Sequence, residues 1–398
     1  MARILVLDGH SAAALAFTRS LGRAGHWVAV GANRGIFAAA ELSRFCQCRL
    51  RYPASTHDTE AFVASVAEFV RVNRIELVLP VTDWTTIPLS RCGSRLGKHC
   101  RVAVPAPEVL ELVSDKQCTL ALARSLGIPV PDTWLIKSLQ DLDRLPGFGF
   151  PMVVKDRSSV RWLGNRAVLG SVAYAYTSAD LQRKVEVRLR EAGDVLVQRF
   201  LSGTGVGFSC FAVDGEIYLP FQWERVREID PRGSGSSARK SVALDSRILK
   251  LSRALVLGVG FQGIAMVEYK RESATGRLVL MEMNGRPWGS IQLAIASGID
   301  YPRHLADWHL SGMLPPRENV YKQGLTCRRM VGELTHLENL RRGRPHGWVG
   351  QYPRFWDSLA RILVPWYPGM RYDDLSFSDP RPGVAGIVNW LAVRMKGA

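Results

Sequence analysis

The chain has 398 residues, 47% of them hydrophobic, and a formal net charge of +16. That is long and apolar enough for two or three domains with substantial cores, and it excludes a disordered protein. The basic balance favours anionic partners such as nucleotides, nucleic acid, acidic membrane surfaces or acidic substrates. The basic residues are dispersed, however, and no aromatic-interleaved repeat marks a nucleic-acid reader, so anionic small molecules are the expected partners.

The first third alternates strand and helix. Arg3 to Leu7 predicts a buried strand, and Asp8 and His10 end the run too early for a signal peptide. Ala14, Phe17, Leu21 and Ala24 recur at helical spacing, and Trp27 to Val30 predicts the next strand. Helical periodicity returns over 61–72, and strands are expected over 76–80 and 101–104. This alternation implies a parallel sheet with helices on its faces. The turn Asp8-Gly9-His10-Ser11 lacks a complete glycine fingerprint, which argues against a dinucleotide, but its backbone N–H groups suit an anion.

Ser114-Asp115-Lys116 is read as the start of a helix, with Ser114 as its N-cap and its end at Gly127. Ile128-Pro129-Val130-Pro131 then forms an extended connector. Strands are expected at Thr133 to Ile136, Phe150 to Lys155 and Val195 to Phe200, with helices over 138–145 and 179–191. A basic, small-residue loop over 156–170, including Arg161, Gly164, Asn165 and Arg166, suits phosphates. Asp214-Gly215 predicts a hairpin between strands at Val206 to Val213 and Glu216 to Trp223. A long polar loop is expected over 225–240, and its Arg225, Arg227, Arg239 and Lys240 are candidates for holding a substrate carboxylate. Helices follow at Ile248 to Leu255, after Ser290 and at Tyr301 to Leu310. Beyond Met313 the pattern weakens. Trp348, Trp356, Trp366 and Trp390 suggest a packed appendage or partner surface, and the short apolar face of 387–395 suits a docked helix better than a membrane anchor. No stretch spans a membrane. Seven cysteines, an odd number without zinc spacing, read as reduced thiols in a cytoplasmic protein.

The chemistry concentrates in Met281-Glu282-Met283-Asn284-Gly285-Arg286. Glu282 and Asn284 lie two residues apart on a predicted strand and so share a face. Glu268 closes the apolar run from Phe261 to Val267, and a neighbouring strand would bring it to the same point. Oxygen donors clustered on rigid strands suit Mg²⁺, which shares its coordination with waters and substrate phosphates. The planar fork of Arg286 suits an anionic oxygen. Loss of Glu282, set among so many positive groups, is expected to leave the fold largely intact.

In this order and spacing, Ser114-Asp115-Lys116, Phe150 to Lys155, Val195 to Gly207, Val267-Glu268-Tyr269 and Met281 to Ser290 resemble the ATP-grasp superfamily, in its carboxylate–amine ligase and carbamoyl-phosphate-synthase-like branch. The resemblance implies mixed α/β and α+β architecture. A Rossmann-like preATP-grasp domain would span 1–113 and an ATP-grasp domain 114–312, with a small lobe over about 130–200 and a large lobe over about 201–312. A C-terminal appendage would span 313–398.

It also implies ATP and Mg²⁺ as cofactors, with Mn²⁺ as an alternative metal. Lys116 and Lys155 would meet the phosphates. Gln198, Arg199, Phe200 and Leu201 would form the adenine hinge, largely through backbone, with an amide at Gln198 where relatives carry an acid. Glu268, Glu282 and Asn284 would hold the metal, the two glutamates serving ATP binding as well, and Arg286 with Lys155 would steady the transferred phosphoryl group. Asp156 to Trp162 replaces the glycine-dense loop of relatives. The function implied is joining a carboxylate to an amine through an acyl phosphate, in a homodimer or a monomer. A carboxyphosphate-forming enzyme and a non-catalytic nucleotide binder are the alternatives.

Overall fold

The computed structural model describes residues 1–147, 149–163, 166–317 and 320–396. The expected alternation opens the chain: β1 (Arg3–Val6), α1 (Ala12–Arg23), β2 (Trp27–Asn33), β3 (Cys46–Tyr52), α2 (Thr59–Asn73), β4 (Leu77–Leu79), α3 (Asp83–Cys92) and β5 (Arg101–Val102). The strands pair in parallel in the order β3-β2-β1-β4-β5. Residues 46–52 alternate exposed Gln47, Arg49 and Arg51 with partly buried Cys46 and Cys48 and buried Leu50 and Tyr52, a period-two strand pattern that the sequence reading passed over.

The first turn departs from its expected role. Gly9 N donates to Gly31 O and Ser11 N to Asp8 O, so these two N–H groups are already satisfied. Asp8, at φ 58°, turns its carboxylate inward. Its Oδ2 accepts from Val81 N, Thr82 N and Thr85 Oγ1 at 3.2, 3.0 and 2.6 Å. A buried carboxylate, rather than a ligand, thus caps the N-terminus of α3.

Two helices follow, α4 (Pro107–Ser114) and α5 (Lys116–Ser125). Ser114 is not the N-cap: it ends α4, and Asp115 caps α5 by accepting from Gln117 N and Cys118 N. Next come β6 (Thr133–Ile136), β7 (Met152–Lys155), β8 (Val160–Leu163), β9 (Arg166–Leu169), β10 (Val172–Ala175), α6 (Ser178–Ala192) and β11 (Val195–Arg199). The strands β10-β7-β11-β6 form an antiparallel sheet on which α6 packs, through Met152, Val154, Val195 and Val197 against Leu181 and Val185. The segment expected as an open loop carries the β8/β9 hairpin; Gly164 and Asn165 lie outside the described residues.

The third layer contains β12 (Gly203–Val213), β13 (Glu216–Glu228), β14 (Ser236–Ser241), α7 (Ser246–Gly258), β15 (Gly263–Glu272), β16 (Leu278–Asn284), α8 (Gln292–Ser297) and α9 (Tyr301–Ser311). Asp214 and Gly215 take φ 50° and 77°, as the hairpin requires. The loop expected over 225–240 is a correction: β13 continues to Glu228 and β14 begins at Ser236, so only 229–235 connects them. Charged side chains there face partners within the protein, which hides the strand pattern from a hydropathy reading.

The remainder supplies β17 (Thr326–Arg328), α10 (Met330–Arg341), α11 (Phe355–Leu363), β18 (Met370–Tyr372) and α12 (Arg381–Lys396). β17 and β18 extend the large sheet, whose order is β16-β15-β12-β13-β14-β17-β18. α12 docks on α10 through Trp390 Nε1 to Thr335 Oγ1 at 3.0 Å and Arg394 to Glu338 at 2.6 Å. Trp348 is buried, whereas Trp356 and Trp366 are exposed.

One face of the large sheet packs on α4, α5 and α7 through Phe208, Val267 and Leu255. Part of the other face shares a core with the N-terminal sheet through Phe17, Val30, Phe221, Trp288 and Tyr301. Among the described residues no helix is long and apolar enough to cross a membrane, and all seven cysteines are free thiols.

Candidate active site

The part of that face left uncovered by the N-terminal sheet turns toward β7. In the β12-β15-β16 ladder, Gly207, Glu268 and Glu282 sit side by side in register. Asn284 follows on the same face, and its Nδ2 donates to Glu282 Oε1 at 3.3 Å. Gly207 keeps this floor open. A Cβ there would lie 2.1 Å from the Trp223 ring, and one at Gly205 would lie 2.5 Å from Arg225 Cδ, so both large side chains lie across bare backbone. Trp223 Nε1 is buried without a hydrogen-bond partner among the described residues.

Cations surround the two carboxylates. Arg225 ion-pairs with Glu268 and, at 2.9 Å, with Glu228. Burial raises the Glu268 carboxyl, Arg225 opposes this, and Glu282 and Glu228 add to it, leaving it above the usual range. At Glu282 burial also acts upward, but Lys116, Lys155 and Arg286 outweigh it and hold the carboxyl below its usual range. Lys155 ends β7, and Lys116 opens α5 with Nζ 3.3 Å from Ser159 Oγ. Burial lowers the Lys155 ammonium to about 8, with Glu282 opposing and Lys116 adding. Arg286 donates to Asp83 Oδ2 at 3.2 Å, at the first residue of the helix that Asp8 caps. The N-terminal sheet therefore positions a cation at the carboxylate pair.

The hinge residues are placed differently. Gln198 is buried, and its amide donates to Thr133 Oγ1 at 2.9 Å, within the four-stranded sheet. Arg199 pairs with Asp132 at 3.1 Å and Glu272 at 3.7 Å. Phe200 stacks edgewise with Trp348 and Tyr174, at centroid distances of 4.9 and 6.1 Å, and Leu201 is buried. Gln198 and Arg199 also lie in the strand ladder, with Arg199 N donating to Asp132 O at 3.0 Å, so the backbone of Phe200 and Leu201 is the part of the hinge left to meet a ligand.

Of the four basic residues read as carboxylate holders, three are engaged within the protein. Arg225 serves Glu268, Arg227 pairs with Glu333, and the buried Arg239 pairs with Asp373. Lys240 is exposed. Asp83 and Lys270 are site neighbours that the motif reading passed over. Lys270 had a signal, since it follows Glu268 at the strand period of two; Asp83 had none, because its contact spans distant segments.

No set of three His, Cys, Asp or Glu residues among the described residues forms a metal cluster. Two carboxylates and one amide oxygen do fit Mg²⁺, which takes few protein ligands when phosphates supply the rest.

A family model described as ATP-grasp in the biosynthetic pathway with Ter operon matches residues 191–330. A putative D-alanine–D-lactate ligase of Streptomyces coelicolor is 26% identical over 254 residues, covering 58% of this chain and 68% of that protein. The fold is shared with L-amino acid ligase from Bacillus licheniformis, with a TM-score of 0.59 at 15% identity over 78% of this chain and 74% of that one. It is also shared with the biotin carboxylase domain of Hydrogenobacter thermophilus 2-oxoglutarate carboxylase, a structure with MgADP and bicarbonate. There the TM-score is 0.63 at 14% identity, over 82% and 73% of the two chains.

Proposed function

The chain belongs to the ATP-grasp superfamily, and from that premise we propose that it is an ATP- and Mg²⁺-dependent ligase that activates a carboxylate as an acyl phosphate and passes the acyl group to an amine. The observation carrying this reading is the in-register pair Glu268 and Glu282, joined by Asn284 and ringed by Lys116, Lys155 and Arg286.

A carboxylate resists nucleophiles because its own charge repels them. Phosphorylation turns it into a mixed anhydride with a good leaving group, and the protein's task is to position anions and stabilise moving charge. Lys116 and Lys155 hold the triphosphate. Arg286, steadied by Asp83, faces the oxygens of the transferred phosphoryl group. Glu268, Glu282 and Asn284 would hold Mg²⁺, which would supply positive charge to offset that of the phosphates. Trp223 Nε1, buried without an acceptor, supports an anionic occupant of this floor. Attack by the acceptor then releases phosphate. One relative is named a putative D-alanine–D-lactate ligase, and lactate carries a hydroxyl in place of an amine, which supports testing hydroxy acids beside amines.

The test is a matrix of carboxylates against amines and hydroxy acids, read by ADP release. Turnover that needs both partners is expected. Absence of nucleotide binding under every metal condition overturns the reading.

A pH effect follows from Lys155. Its ammonium titrates near 8 in the free protein, and phosphate favours the charged form. With EDTA present, ADP binding is therefore expected to take up a proton near pH 8 and to weaken as pH rises above that value. Calorimetry in buffers of different ionisation enthalpy reads the uptake; none would remove Lys155 from the phosphate site.

A further inference from the structure

On the hinge side of the carboxylate pair lies a cavity of about 380 Å³. Phe200 of the hinge, with Ser202 and Thr204 just after it, lines one side, and Trp348, Gln351 and Arg354 of the C-terminal segment line the other. Lys270 stands within it. It lies two residues past Glu268 on β15, on the same face and about 7 Å farther along the strand, opposite Gly205.

Its Nζ lies 5.3 Å from the centroid of the Phe200 ring. Among the described residues the Lys270 ammonium has no hydrogen bond or ion pair, although the neighbouring Arg225, Glu268 and Glu228 are all paired. The Lys270 side chain is partly buried. A partly buried ammonium without an acceptor is costly, and a ligand that brings one offsets that cost. A nucleotide with its phosphates at Lys116, Lys155 and the glutamate pair extends its ribose and base along β15 toward the hinge, into this cavity.

We propose that Lys270 is a specificity-determining residue that reads the nucleoside of the bound nucleotide, donating to a ring nitrogen or ribose oxygen in a pocket walled by the C-terminal segment. This rests on the ATP-dependent reading above and adds to it the residue that selects the nucleoside.

The test is calorimetric binding of MgADP to the intact chain and to its Lys270→Met variant, at 0.1 and at 0.5 M NaCl. Lys270→Met is expected to weaken ADP at least tenfold at both salt concentrations while melting no lower than wild type. Affinity unchanged within twofold overturns the proposal. So does a loss present at low salt and absent at high salt, because a screened effect marks a distant charge acting on the phosphates. A wild-type chain that binds no ADP fails the ATP-dependent reading itself, a result distinct from both.

Discussion

Glu282→Ala is expected to lower ADP release by about 10³-fold, the scale of losing a preorganised electrostatic group at the reacting centre. Glu282 faces Glu268 across the β15/β16 pair, and Asn284 donates to it. On the proposed assignment, the variant would lose a metal ligand, and phosphoryl transfer would lose its positioning. The hinge backbone is untouched, so nucleotide binding is expected to weaken less than turnover. The fold is expected to stay largely intact, with a small cost in stability. Lys116, Lys155 and Arg286 hold the Glu282 pKa below its ordinary 4.5, so these cations stabilise its ionised form in the fold. A depressed carboxyl pKa contributes stability that is present above pH 4.5 and lost as pH falls through the folded value. Removing Glu282 leaves three cations facing one another, so a modest fall in Tm is expected at neutral pH and a smaller one in acid. Turnover at the wild-type rate would remove Glu282 from the metal site.

Arg19→Met is expected to cost about 3–5 kcal/mol, the scale of breaking a buried ion pair from one side. Arg19 lies in α1 and is 2% exposed. Its Nε donates to Asp379 Oδ2 at 2.9 Å, and its terminal nitrogens donate to the carbonyls of Asp373, Asp374 and Asp379. The variant leaves three carbonyls and part of a buried carboxylate without donors. Ser43 Oγ and Arg44 N still reach Asp379, which keeps the loss from being larger. Because the arginine ties the first helix to the last tenth of the chain, the expected signature is early exposure of residues 373–396 in hydrogen exchange, with Tm lower by about 5 °C or more. An unchanged melting profile would show that α1 and the C-terminal segment are held by apolar packing alone.

What the sequence made legible was local and periodic. The apolar runs at Ile4, Val28 and Leu77 marked the parallel sheet, and Asp214-Gly215 marked the β12/β13 hairpin of the large sheet. The two-residue spacing of Glu282 and Asn284 put both on one face, as observed. What stayed hidden depends on partners far along the chain. Arg225, Arg227 and Arg239 look like a solvated loop until Glu268, Glu333 and Asp373 are seen beside them. Asp8 looks like an anion-binding turn until its carboxylate is seen capping α3. Ser114 and Asp115 are both good N-caps, and only the end of α4 decides between them. Strands β17 and β18 are three residues each, too short for any period to register.

The central claim is that a carboxylate oxygen, not water, attacks the phosphoryl group. It is tested by supplying the active carboxylate with both oxygens as ¹⁸O, running the complete reaction with unlabelled ATP, and reading the released phosphate by ³¹P NMR. Passage through an acyl phosphate predicts one ¹⁸O in the phosphate for each ADP formed. Phosphate carrying no label, with ADP released at the same rate, would contradict it.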